Sequence, residues 1–267
     1  MSHVLDIDDY DLAEALQVAA SFGNERYGYI VTPNVDHVIR HFRDRQFRSL
    51  YAQASLVLLD SRFLAHTIGI FKRQVLRVCL GSDLTTLMLN TVIAPDDVVV
   101  LVGATAAQAQ TLRTRFGLNA LHHVDPPMNF IAYPEAVEEC LRSIEEVGSF
   151  RFCFMAVGSP QQEIIAQSLK ERGIARGLAL CVGGAINFMT GVERRAPVWI
   201  QDLGFEWLFR LLQNPRRLAS RYLLRGPLIF PLLFQIELRV RPRTKSTSTV
   251  DQKSSATTAT SAIAISS

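Results

Sequence analysis

A carboxylate at the end of an apolar run is the first residue of this chain whose type and place suit chemistry. Asp60 closes the run from Ala54 to Leu59, a position in which a strand end would hold a general base against a substrate hydroxyl. The competing assignment is a cap on the following helix. Two other apolar runs end comparably, at Thr32-Pro33-Asn34 and at Gly158-Ser159-Pro160. The stretch Val157-Gly158-Ser159-Pro160-Gln161-Gln162-Glu163 reads as a strand followed by a helix. Free backbone N–H groups there would suit a phosphate, although Pro160 equally suits an ordinary strand-to-helix turn. Cys181-Val182-Gly183-Gly184-Ala185 also follows an apolar run, and paired glycines permit close approach of a ligand or simply a tight turn. The sequence matches neither the dinucleotide fingerprint nor the P-loop.

Metal chemistry finds little support. Asp6-Ile7-Asp8 spells an acidic pair of the kind that holds a nucleotide diphosphate through a divalent cation, but it precedes the first helix and no strand is expected to present it. We therefore expect no metal site and no cofactor. His37 and His41 stand four apart on a helical pattern without a third ligand, and His122 and His123 read as surface or strand-end residues. Cys79, Cys140, Cys153 and Cys181 form no CxxC pair and suit reduced, buried thiols.

The elements that must position these residues follow from patterning. The chain has 267 residues, 48% hydrophobic and 20% charged, which excludes disorder throughout and allows one full core. Apolar runs at 28–31, 56–59, 98–102, 152–157 and 178–182 alternate with helical patterns at 33–49, 84–90, 106–116, 134–147 and 161–172. That alternation predicts an α/β fold with a mostly parallel sheet and helices on both faces, its ligand crevice outside the carboxyl ends of the strands. Residues 1–195 form the expected catalytic core. From Trp199 the pattern turns helical and basic, so 196–245 reads as an amphipathic appendage, and 246–267, with 16 Ser, Thr or Ala in 22, as a disordered tail.

Charge divides along the same line. Residues 194–245 hold 11 Arg and Lys against 3 Asp and Glu, a surplus of +8 in a chain whose total is +3. Arg210, Arg217, Arg221 and Arg225, spaced seven, four and four, fall near one helical face among Trp207, Phe209, Leu218 and Tyr222. Such a face suits an anionic membrane surface better than a nucleic-acid duplex, and an ordinary packed helix with a solvated basic side remains the alternative. The N-terminus is acidic where a secretory signal would be basic, and the longest strongly apolar uncharged run, 226–236, is 11 residues. A cytoplasmic location is the resulting expectation.

Several motifs then coincide. Val182-Gly183-Gly184, Gly191, Arg195-Ala196-Pro197, Gly204-Phe205-Glu206-Trp207-Leu208, Pro215-Arg216-Arg217 and Arg221-Tyr222 occur in the order and near the spacing of the WecG/TagA/CpsF glycosyltransferase family, which the chain resembles over about residues 10–235. Upstream, Thr32-Pro33-Asn34, Asp60, Gly81-Ser82-Asp83-Leu84 and Gly158 through Glu163 extend the likeness.

The resemblance implies a Rossmann-like inverting glycosyltransferase at the cytoplasmic face of the membrane, using no metal. Its substrates would be a UDP-sugar and a polyprenyl-diphosphate-linked saccharide, in bacterial surface-polysaccharide assembly. Asp60 falls at the proposed base position. Thr32, Asn34 and Gln162 match pocket residues, and Gly158, Gly183, Gly184, Arg195, Arg210, Arg217 and Arg221 are the expected donors to the substrate. Homo-oligomerisation is left open. Ser61-Arg62 stands where many members have Gly, Gln161 replaces a Lys, and Ile186-Asn187 replaces an aromatic-Asp pair. An arginine at 62 would meet a carboxylate or phosphate, compatible with a donor other than the N-acetylmannosamine type. A noncatalytic scaffold protein of polysaccharide assembly, keeping the fold and its basic appendage, is the alternative function.

Overall fold

The computed structural model describes residues 3–23 and 25–241. Residues 242–267, including the expected tail at 246–267, lie outside the described residues. Among the described residues are eight strands: β1 (His3–Asp8), β2 (Tyr27–Val31), β3 (Leu56–Val57), β4 (Val99–Val102), β5 (Leu121–Val124), β6 (Ser149–Met155), β7 (Arg176–Cys181) and β8 (Ile236–Arg241). Six form one parallel sheet in the order β3-β2-β7-β6-β4-β5, while β1 and β8 pair in parallel as a separate ribbon.

Period-two alternation builds the sheet into two cores. Tyr29, Val31, Val57, Val100, Val102, Cys153, Met155 and Ala179 pack on one face, and Ile30, Leu56, Val99, Leu101, Phe152, Phe154, Leu178 and Leu180 on the other. Helices Val35–Arg43, Arg45–Ala52, Arg62–Lys72, Pro134–Glu145 and Gln161–Arg172 cover the first face. Leu12–Ser21, Gly81–Leu87, Ala106–Phe116 and Ala185–Met189 cover the second. The α/β class and the parallel sheet therefore agree with the sequence reading, and all four cysteines are buried and free. Between β2 and β7 the connections diverge, since β2 leads outward to β3 whereas β7 is reached from the β6 side. A crevice at their carboxyl ends follows from that order.

Several expectations change. The helix expected at 33–49 is two helices, because Asp44 is extended and its side chain accepts the N–H groups of Gln46 and Phe47 as a new N-cap. Asp6-Ile7-Asp8 lies in a strand, contrary to the expectation that no strand presents it. Its carboxylates face arginines on β8: Asp6 lies 3.8 Å from Arg239 and Asp8 2.7 Å from Arg241. Asp8 also accepts the Val57 N–H at 2.7 Å, tying the ribbon to the sheet edge. The segment after 195 is not purely helical, because β8 returns the chain to the N-terminal strand.

That return anchors the appendage. Ile229, Leu233 and Ile236 are essentially inaccessible and belong to the same core cluster as Val38 and Ile39. The appendage is thus held at both ends and crosses the crevice in between.

Candidate functional site

The crevice above β2 and β7 holds a cavity of about 420 Å³. Its floor comes from strand ends, with Thr32 and Asn34 after β2, Asp60 after β3, Gly158 after β6, and Gly183 and Gly184 after β7. Its roof comes from the appendage, with Gln201, Glu206, Trp207, Arg210, Tyr222 and Phe230. The core carboxylate and the arginine-bearing segment, separated by about 150 positions in sequence, share one cavity.

Asp60 owes its availability to its neighbour. Ser61, not Asp60, caps the helix Arg62–Lys72, accepting the Leu64 N–H at 3.1 Å. The Asp60 backbone N–H donates to Pro33 O at 2.9 Å, and its Oδ1 accepts the Gly81 N–H at 3.0 Å. A Cβ at Gly81 would stand 3.1 Å from Thr32 Oγ1, so the glycine permits this close three-way junction. Burial pushes the Asp60 carboxyl from an ordinary 3.8 up to about 7; the Gly81 N–H offsets part of that shift, Glu206 adds to it, and Arg210 opposes it. A carboxylate poised near neutrality can take a proton from an alcohol better than an ordinary aspartate can.

The remaining floor is tied internally. Thr32 Oγ1 donates to Cys181 O at 3.0 Å, clamping β2 to β7 at the crevice. Asn34 caps the helix Val35–Arg43, its Oδ1 accepting the Asp36 N–H at 3.1 Å, while its own N–H donates to His37 Nδ1 at 3.3 Å. His37 thereby joins the cavity lining; His41, one turn on, instead packs on Tyr51. Gln162 is buried with both amide atoms engaged, Oε1 accepting the Gly183 N–H at 2.9 Å and Nε2 donating to Glu163 Oε1 at 2.9 Å. Burial raises the Glu163 carboxyl, with the Gln162 amide offsetting part of the effect. The Gly183 N–H expected to face a phosphate is therefore committed within the fold, to Gln162 and to Met155 O at 3.1 Å. Gly183, at φ 50°, and Gly158, at φ 80°, occupy the left-handed region that their turns require.

Among the expected arginines the structure separates roles. Arg210 reaches the cavity, its guanidinium 5.2 Å from the Phe188 ring centroid and 3.3 Å from Glu193 Oε2. A Cβ on Gly184 would come within 3.3 Å of Arg210 Nη2, so Gly184 makes room for it. Arg195 is not part of the lining and pairs with Asp83, within range of the charges of Glu206 and Asp60. The side chains of Arg217 and Arg221 lie outside the described residues.

Five participants escaped the sequence reading in their present roles. Arg62 lines the cavity but donates from Nη1 to Gln201 Oε1 at 3.1 Å, and Gln201 Nε2 donates to Ala196 O at 2.6 Å, so this pair latches roof to floor. Glu206 and Trp207 sit in the cavity wall, where the only sequence signal was their place in a recognisable motif. Phe63 meets Trp207 at 6.3 Å and Phe230 at 6.5 Å, both edge-on, closing the same seam.

The arrangement can deprotonate a hydroxyl at Asp60 and neutralise an anion at Arg210 within one cavity. A family model for the Glycosyl transferase WecG/TagA/CpsF family matches residues 3–243, nearly the whole chain. The match spans floor and roof alike, and the chain belongs to the WecG/TagA/CpsF glycosyltransferase family.

Proposed function

We propose that this glycosyltransferase of cell-surface polysaccharide synthesis moves a sugar from a UDP-sugar to a saccharide carried on polyprenyl diphosphate, with inversion at the anomeric carbon. Asp60 takes the proton of the acceptor hydroxyl as its oxygen bonds to that carbon. The bond from carbon to the phosphate oxygen breaks, and its electron pair leaves with UDP. Charge gathering on the diphosphate is met by Arg210, whose guanidinium lines the same cavity. This assigns neutralisation to arginine rather than to a divalent ion; the acidic pair Asp6 and Asp8 already faces Arg239 and Arg241.

The observation that carries the reading is the cavity that Asp60 and Arg210 both line, the one as base and the other as anion partner. Work at a membrane surface is supported by the appendage's exterior. Trp199, Leu203, Leu212, Leu223, Leu224 and Phe234 are exposed there beside exposed Arg216 and Arg225. No helix among the described residues is long and apolar enough to cross a membrane. On the strength of that exposed apolar and basic exterior, and of a nucleotide-sugar donor, we place the enzyme peripherally on the inner face of the cell membrane. The test is a screen of UDP-glucose, UDP-N-acetylmannosamine and their uronic-acid forms with a lipid-diphosphate-saccharide acceptor, followed by mass analysis. One donor should give a product heavier by one sugar, and absence of product with every donor would reject the reading.

A further inference from the structure

The chemistry above uses Asp60 and Arg210 and leaves a carboxylate and an indole in the roof without a task. Glu206 opens the helix Glu206–Gln213 and lines the cavity close enough for its charge to act on Asp60. Trp207 follows it, packed on Tyr222 at 5.9 Å and on Phe63, and its indole Nε1 is buried with no hydrogen-bond partner among the described residues. A buried unpaired donor costs free energy unless a ligand atom completes it.

The lining carries one roof guanidinium, Arg210, beside Gly184 and Phe188, and the carboxylates of Asp60 and Glu206, which lie close enough for the Glu206 charge to act on Asp60. A diphosphate is repelled from two carboxylates. A neutral sugar is attracted to them, because its hydroxyls donate to carboxylate oxygens while its apolar C–H surface covers an aromatic side chain. A carboxylate and an indole with an unpaired N–H donor, consecutive in the cavity lining, match the amphipathic surface of a pyranose.

We propose that Glu206 and Trp207 form the subsite for the acceptor saccharide, Glu206 accepting its hydroxyls and Trp207 giving its N–H to a ring substituent. The inference rests on the glycosyl-transfer reading. Both residues belong to the appendage, so the acceptor sugar itself bridges roof and floor and brings its nucleophilic hydroxyl to Asp60.

The test is calorimetric titration of the full chain with farnesyl diphosphates bearing glucose, N-acetylglucosamine or a disaccharide, with sugar-free farnesyl diphosphate and with UDP. At least one sugar-bearing probe should bind more tightly than the sugar-free one. Glu206→Gln should weaken that probe by about tenfold or more while UDP affinity changes less than about twofold. Trp207→Phe, which keeps the ring and removes the N–H, gives a second reading should Glu206→Gln fail to fold, and it should weaken the same probe. Equal affinity for sugar-bearing and sugar-free probes, or unaltered probe binding in both variants, overturns the subsite. If the unmodified chain transfers no sugar from any UDP donor yet distinguishes the probes, the enzymatic reading falls and the saccharide subsite stands. Transfer without such discrimination overturns the subsite and leaves the enzymatic reading in place.

Discussion

The floor and the roof of the cavity differ in how their key polar groups are held. On the floor, the polar groups of Thr32, Asp60, Gln162 and Gly183 are each tied to nearby backbone or side chains, and their supporting strands are buried on both faces. In the roof, Trp207 Nε1 and Arg210 Nε are buried without hydrogen-bond partners among the described residues, while Trp199, Leu212 and Leu224 face outward. A preorganised floor gives precise placement of reacting atoms, and a roof with open hydrogen-bond capacity is completed by substrate.

The sharpest way to break this contrast is to remove the one floor group that does chemistry. Asp60→Asn preserves the acceptor for the Gly81 N–H but abolishes basicity, so transfer should fall by about 10²–10⁴-fold in kcat with UDP affinity largely kept. Residual turnover near that of the unmodified enzyme would show that another group takes the proton.

Next comes the junction of the two regions. From the sequence, cutting the chain near residue 196 should leave a folded core. Ile229, Leu233 and Ile236 nevertheless pack in the core beside Val38 and Ile39, so their removal is expected to expose it and to destabilise the shortened chain. Leu233→Ala should cost about 2–5 kcal/mol of stability by denaturant unfolding, despite lying in the appendage. Exposed Leu212→Ala should cost almost nothing by the same measurement. Equal costs would mean that the appendage folds independently. A milder probe is Arg62→Ala, which opens the bond to Gln201 without touching the core; kcat should fall by about tenfold while the unfolding midpoint stays within a few degrees.

How much of this was legible in the sequence follows the range of the forces involved. Alternating Val, Leu and Phe in β2, β4, β6 and β7 announces buried parallel strands, since periodicity and flanking turns are local properties. Ribbon β1–β8 was not legible: its two strands are more than 220 residues apart in sequence and are joined by Asp6–Arg239 and Asp8–Arg241, a pairing no local window contains. The same holds at the site. Asp60 stood out at the end of an apolar run, but its alternative as a helix cap could be settled only by seeing Ser61 take that role. Arg62 was expected to face substrate because its charge was visible; Gln201, the neutral partner that occupies it, carried no signal.

The smallest expected effect separates floor from roof electrostatically. Burial holds the Asp60 carboxyl near 7, so the base is mostly protonated at pH 6 and mostly ionised at pH 8. Transfer should therefore rise with pH through about 7 and then level. Stability runs the other way: the native state keeps this proton where the unfolded chain, with its ordinary value of 3.8, has lost it, so Asp60 costs stability progressively as pH rises from about 4 through 7. Asp60→Asn should consequently unfold at a higher temperature than the unmodified chain at pH 8, with the difference narrowing toward pH 4. Roof substitutions should move the kinetic limb in opposite directions. Glu206→Gln removes a charge that raises Asp60 and shifts the limb to lower pH, whereas Arg210→Gln removes one that lowers it and shifts the limb upward. The position of the limb is independent of its height, so the shifts are readable even where kcat is reduced. A limb that stays in place in both variants would mean that the roof does not close over Asp60 during turnover.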